Sequence, residues 1–308
     1  MNIIRGVAHP PGRIVIFGPP GVGKSTTACG AEKGGRPRED LIALDYESGL
    51  DEIGPSRVKG ADSWEGSLAL VKEAATSPGP WKAIVVDTLD RLEDQCKNFV
   101  CKVGLNGKSF PDLASFGYGK GETALEQRWR ELLFAFEAAR EHGREVILVC
   151  HAQSKTIDDP QLPPYSKWIA ALTKQTWNAT HRWADAILFA QHEQTLIEGK
   201  LVLTGNRVLR TEAASGYEAK NRWHLPPTLP LSWEAFTKAR QATARDPVEI
   251  ASAIRAMAKG SPDETKAEEF ILKKPFDVAY LVSVEGALRA KLNAATSASQ
   301  TSLKGIAP

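Results

Sequence analysis

GPPGVGKST, residues 18–26, satisfies G-x-x-x-x-G-K-[ST] through Gly18, Gly23, Lys24 and Ser25, and no other stretch says as much about the fold. The pattern carries a mechanism only between a strand and a helix. Both neighbours are present: the apolar run RIVIF (13–17) precedes it, and a helical pattern opens at Lys24. In that setting the loop Gly18, Pro19, Pro20, Gly21, Val22, Gly23, Lys24, Ser25 and Thr26 wraps α/β phosphates with backbone N–H groups and a positive helix end. Lys24 then reaches the β/γ phosphates, and the Ser25 hydroxyl ligates Mg²⁺.

Farther along the chain come four more short apolar runs: LIALD (41–45), AIVVD (83–87), EVILVC (145–150) and AILFA (186–190). Near-continuous apolar strands separated by helices imply a mainly parallel sheet covered on both faces, hence an α/β fold. Helices are predicted from about Thr88 to Val103 and from about Glu122 to His142. The second carries Leu125, Trp129, Leu132, Leu133 and Phe136 at core spacing. Beyond Ala190, QTLIEGKLVLT and NRVLRTE read as antiparallel edge strands with a glycine between them, and a helix around Ser232 to Arg240 closes a core spanning 1–243. A helical segment is expected over 244–294. D-P-V-E (246–249) and S-P-D-E (261–264) each offer a cap, a proline at the first helical position and a glutamate at the third, and a third amphipathic stretch runs from Phe276 to Ala294. The small, polar tail 295–308 is expected to be disordered.

Bulk composition narrows the classes. A chain of 308 residues, 42% apolar and 25% charged, buries one large core with a small appendage. Thirty-nine Lys and Arg against 37 Asp and Glu leave a net charge of +2, too little for a global field, so any nucleic-acid site has to be a local patch. Cys29, Cys96, Cys101 and Cys150 show no zinc spacing and read as reduced thiols, and no stretch is apolar enough for a signal or a membrane span. The expectation is a soluble, cytoplasmic protein.

Asp87 ends an apolar strand at the sheet edge where ligands bind in such folds, and is expected to hold Mg²⁺ through water. Thr88, which follows it, cannot serve as a base. A water-activating carboxylate must come from another strand end, and LIALDYESGLDEI supplies Glu47, with Asp45 and Glu52 as competitors.

The ordered set GPPGVGKST, LDYESGL, VVDTLD, FGYGKG (116–121), the histidine after EVILVC, RWADAILF (182–189) and AKNRWHLP (219–226) resembles the RecA core. More closely it resembles the phage nucleotide-binding ATPases of the fourth Sak group, over roughly residues 10–235. The resemblance implies a RecA-like P-loop NTPase that binds ATP and Mg²⁺ and acts on single-stranded DNA in recombination or single-strand annealing. It also implies a ring or short filament with ATP at subunit interfaces, a single-stranded-DNA-binding protein as a further partner, and the host cytoplasm as its place if the chain is phage-encoded. The strand 145–150 would lie between the P-loop and Asp87 strands, which puts His151 near the γ-phosphate as a donor and sensor, with Gln153 as rival. Lys220 and Arg222 alternate along an extended run; by similarity to DnaB-type helicases they would reach a neighbour's γ-phosphate.

Two segments correspond by position to RecA's DNA loops. The first, 106–121, combines Lys108 and Lys120 with Phe110, Phe116 and Tyr118; lysines neutralise phosphates while aromatic faces stack on bases. The second, from Ser154 to about Arg182, reads as a long loop bearing Lys155, Tyr165, Lys167, Trp168, Lys174, Trp177 and Arg182, with Asp158 and Asp159 opposing, although Trp168, Ile169, Leu172 and Gln175 also fit a helix packed on the core. A DnaB-like or KaiC-like motor or switch, and a nucleotide-gated adaptor, are the alternative readings.

Overall fold

Strand β1 (Arg13–Gly18) is apolar and buried along almost its whole length, because it is paired on both sides and covered on both faces. After it come α1 (Lys24–Ala28), β2 (Leu41–Asp45), β3 (Arg57–Lys59), α2 (Trp64–Thr76), β4 (Ala83–Asp87) and α3 (Leu89–Val103). The chain continues through α4 (Lys120–Glu141), β5 (Glu145–Asp159), β6 (Leu162–Ala170), α5 (Lys174–Trp183), β7 (Ala186–Ile197) and β8 (Lys200–Arg210). Then come β9 (Lys220–Asn221), β10 (Thr228–Pro230), α6 (Trp233–Thr243), α7 (Pro247–Ala258), α8 (Glu264–Lys273) and α9 (Val278–Lys304). This computed structural model describes residues 10–159, 162–198, 200–275 and 277–304.

The sheet order is β10-β8-β7-β1-β5-β4-β2-β3. From β7 to β3 every pairing is parallel, whereas β8 and β10 add antiparallel strands at one edge. The architecture is therefore α/β with a mostly parallel sheet flanked by helices, as the alternation of runs implies. Register matters more than order for the nucleotide site. Gly18 lies beside His151, Asp87 beside Val149, and Asp45 beside Asp87, so the carboxyl ends of four strands form one ledge.

The helix predicted over 122–142 forms as α4, and its five apolar positions are buried. Trp129 is wholly buried, stacks on Trp64 at 6.3 Å between centroids and donates its indole N–H to Thr180 Oγ1 at 2.8 Å. An indole that deep requires such a partner, because an orphaned N–H inside a core costs about 1–3 kcal/mol.

Three local expectations give way. The segment from Ser154 to Arg182 is not a loop: β5 runs on past the sheet and turns back as β6, after which α5 packs with Trp177 buried. Trp168 and Ile169 are strand residues of β6, and the helix starts only at Lys174. The edge hairpin turns at Glu198, where φ is positive, and Gly205 instead lies where the β7–β8 register slips. Finally, S-P-D-E does not open its helix at Pro262. Ser261 Oγ accepts from Asp263 N, Glu264 accepts from Gly260 N, and α8 begins at Glu264.

The chain divides into two compact units: Pro10–Arg222 with Pro227–Phe236, and Trp223–Pro226 with the chain from Thr237 onward. The second has its own core of Ile250, Ile254, Ile271, Leu281 and Leu288. Its α7 opens as D-P-V-E predicts, with Asp246 accepting from Val248 N at 2.7 Å and proline in the first turn. Helix α9 continues to Lys304, into the stretch read as a disordered tail; residues 305–308 of that tail lie outside the described residues.

Trp129→Ala leaves a large cavity, while Thr180 Oγ1 keeps its bond to Thr176 O at 2.8 Å, and is expected to cost about 3–5 kcal/mol. Denaturant unfolding followed by circular dichroism measures it.

Candidate nucleotide site

The loop between β1 and α1 is shaped by two glycines. A Cβ on Gly18 would stand 2.2 Å from Ala190 O, so β7 packs directly against bare backbone there. Gly23 has φ 103°, a left-handed conformation that only glycine adopts readily, and it is the residue from which α1 starts. The buried Lys24 folds over the loop and donates to Pro19 O at 3.0 Å. Burial lowers its pKa, against the opposing pull of Asp87, Asp90 and Glu47.

Asp87 is 2% exposed, and burial pushes its carboxyl up to about 6, although the Ser25 hydroxyl bonded to it pulls the other way; Glu47 and Asp45 add repulsion. One oxygen, Oδ1, is buried with no hydrogen-bond partner. A carboxylate strained by burial, with an orphaned oxygen and a serine hydroxyl beside it, fits a divalent cation, which takes hard oxygen ligands. Ser25 and Asp87 are thus the pair that would hold Mg²⁺.

The competitors for the water-activating role separate cleanly. Asp45 uses its carboxylate on its own loop, accepting from the backbone N–H of Glu47 at 3.2 Å, Gly49 at 3.3 Å and Leu50 at 3.4 Å. Glu52 is exposed. Glu47 is also at the surface, its side chain 24% exposed, but it is the one of the three that reaches β5: Oε1 accepts from Arg91 Nε at 3.0 Å, and Oε2 lies 3.9 Å from His151 Nε2. His151 in turn meets Asp90, through its backbone N–H at 3.1 Å and its ring Nδ1 at 3.0 Å. Glu47, Asp90 and His151 each bring one polar atom to within 4.8 Å of the others. Gln153, the rival sensor, donates to the carbonyls of Ala170 and Leu172 and so stitches the base of the β5–β6 hairpin.

Asp90, Arg91 and Arg207 were missed in the sequence. Asp90 stands inside VVDTLD, in the first turn of the helix after Asp87, but nothing in the string says that its carboxylate turns toward β5. Arg207 sits in NRVLR without a motif, yet its Nη1 donates to Val22 O at 3.1 Å and closes over the phosphate loop from β8.

Lys220 and Arg222 are not brought to this site. The β9 segment pairs with Ala186 and Ile187 at the amino end of β7, the opposite end of the parallel strands from the ledge. Lys220 Nζ donates to His181 O at 2.5 Å, at the carboxyl end of α5, and Arg222 pairs with Asp185 at 3.2 Å. Each would have to leave these partners to serve a neighbouring subunit.

The two DNA segments fare differently. In the first, Phe110 and Phe116 stack on one another at 4.0 Å, Lys108 lies over Phe110 at 5.8 Å, and Phe116 is buried. Phe116 is therefore a packing residue, not a free platform for a base. Tyr118 stands fully exposed with φ 51°, and Lys120 opens α4 at the surface. In the second, Lys155 lies directly across from Lys167, and Ile157 across from Tyr165, which places two lysines and a tyrosine on one face of the hairpin. Like charges in direct opposition destabilise a hairpin unless an anion lies between them. Trp168 is on the other face, half-exposed, bonded through its backbone to Gly216 and Glu218, and Lys174 is exposed at the start of α5.

A phosphate loop, a buried strand-end aspartate paired with the loop serine, and a mostly parallel sheet with an extra strand between the two define a P-loop ATPase domain. Residues 11–223 match the family model described as AAA domain, AAA_24, and the chain belongs to that family. No curated protein matches. No helix among the described residues is long and apolar enough to cross a membrane.

Because the Asp87 carboxyl is raised above its unfolded value, the folded chain keeps that proton longer. Stability is therefore expected to fall as pH rises from about 4 to about 6. Asp87→Asn removes this burden: in metal-free buffer it is expected to gain roughly 2–3 kcal/mol above pH 6 and nothing below about pH 4. Denaturant midpoints at the two pH values measure the difference.

Proposed function

We propose that the chain is a Mg²⁺-dependent ATPase of the RecA-like type that acts on single-stranded DNA, in the recombination and annealing setting implied by the Sak resemblance. The observation that supports it most is the position of Glu47: a carboxylate from the end of β2, turned into the ledge beside His151, where Asp87 has only Thr88 next to it.

On this reading the P-loop amides and Lys24 hold the β/γ phosphates, and Glu47 orients the attacking water. The Mg²⁺ held by Ser25 and Asp87 would offset charge on the phosphate oxygens. Lys24→Ala removes the fixed counter-charge and is expected to abolish nucleotide binding, while Glu47→Gln is expected to bind ATP and stall, losing about 10²-fold or more in kcat. Equilibrium binding of a fluorescent ATP analogue and steady-state turnover separate the two. Near-normal turnover of Glu47→Gln sinks the role given to that residue.

The DNA part rests on Lys155 opposite Lys167, on a hairpin continuous with the strand whose residue His151 borders Gly18. Turnover measured with and without single-stranded DNA over a salt series is expected to show stimulation that fades with salt. Lys155→Ala with Lys167→Ala should reduce the log–log salt slope of binding by about 1.4, at roughly 0.7 per phosphate contact on a single strand. An unchanged slope removes the hairpin from the interface. ATP turnover indifferent to DNA would favour the nucleotide-gated adaptor instead.

A further inference from the structure

The hydrogen bonds of His151 do not suit a donor to phosphate. Both Asp90 oxygens meet this residue, Oδ1 accepting from its backbone N–H at 3.1 Å and Oδ2 lying 3.0 Å from ring Nδ1, and the buried Cys150 thiol is also bonded to the Asp90 carboxylate. Burial pushes the Asp90 carboxyl up, but the hydrogen bonds from the His151 ring and backbone outweigh it and hold the group below its ordinary value. Its place in the first turn of α3 also favours the anion. An ionised carboxylate only accepts, so the proton between the two groups belongs to Nδ1. A neutral ring has one N–H, and here it is spent on Asp90. Nε2 is left bare, 3.9 Å from Glu47 Oε2, while Glu47 Oε1 is occupied by Arg91.

Two acceptors at that separation are spanned by one molecule that donates to both, and water does so at ordinary hydrogen-bond lengths. A cation is a poor occupant, since Asp90 is committed to His151 and the Arg91 guanidinium already lies on Glu47.

We propose that His151 is the proton acceptor for the attacking water, with Glu47 orienting that water and Asp90 acting as the positioning residue that selects the His151 tautomer. This rests on the ATPase reading of the site. In the step, the water oxygen bonds to the γ-phosphorus as the bond from that phosphorus to the β,γ-bridging oxygen breaks, and ADP leaves with that electron pair. One water proton passes to Nε2, and the resulting imidazolium is stabilised by the Asp90 carboxylate. The proton is then released to phosphate or solvent, which restores the ring.

Two measurements on the full chain test this. The first is ¹⁵N NMR of the histidine rings, with the His151 signal assigned by its loss in His151→Gln. Wild type is expected to show the neutral ring protonated at Nδ1; a ring protonated at Nε2 overturns the proposal without touching the ATPase reading. The second is kcat and KM for Mg²⁺-ATP in Asp90→Asn. There the amide oxygen is claimed by the His151 backbone N–H and the NH₂ faces Nδ1, which must accept, so the ring proton moves to Nε2 and the base is lost. The expected result is a kcat lower by about 10²–10⁴-fold with KM within about threefold, and partial recovery in Asp90→Glu. A kcat within about threefold of wild type overturns the proposal and leaves the ATPase reading standing. Absence of Mg²⁺-ATP turnover in wild type overturns both, whatever the tautomer.

Discussion

The parallel pairing of β1 with β5 governs the geometry of the site, because it sets Gly18, where the phosphate loop begins, directly beside His151. Six consecutive residues of β1 are in register with β5, and β4 pairs with the other edge of β5. A ladder fixed over that length cannot slip by one residue without turning every buried side chain to the wrong face. The ledge of Gly18, His151, Asp87 and Asp45 is a consequence of that register. On the other side of β1 the backbone of β7 comes so close to Gly18 that no side chain fits.

Helix α3 links the ledge to the β5–β6 hairpin. Asp90 and Glu93 are one turn apart on the same helix and face different ends of one excursion of the chain. Asp90 holds His151, where β5 leaves the sheet. The buried Glu93 accepts from the backbone and hydroxyl of Thr173 and from the hydroxyl of Thr176, where the chain re-enters as α5. The entrance and exit of the hairpin are thus tied to the helix that starts just after Asp87.

Legibility tracked the range of the interaction. The five apolar runs, the phosphate loop and Asp87 were readable because each is a local pattern whose physical meaning is complete within ten residues or so of chain. The hairpin was not. SKTIDDPQLPPYSKW is polar on both faces and interrupted by prolines, so it shows no alternation and resembles a loop. The aromatics of 106–121 misled for a related reason: Phe110 and Phe116 satisfy each other, and their mutual burial has no signature in spacing.

From its residues alone the chain determined that it would be an α/β protein with a P-loop between strand and helix, an aspartate at the end of a buried strand and a carboxylate just past the end of the second strand, because backbone geometry and burial at those points demand those residue types. Tertiary structure decided which candidates meet. It committed Asp45 to its own loop, set Glu47 between Arg91 and His151, turned Asp90 toward His151, laid Arg207 over the phosphate loop, and bound Lys220 and Arg222 at the far end of the sheet. These outcomes depend on strand order and on groups as far as 185 residues apart finding each other, as the Arg207 guanidinium and the Val22 carbonyl do. No local pattern encodes a hydrogen bond whose two ends are brought together only by the packing of the whole sheet.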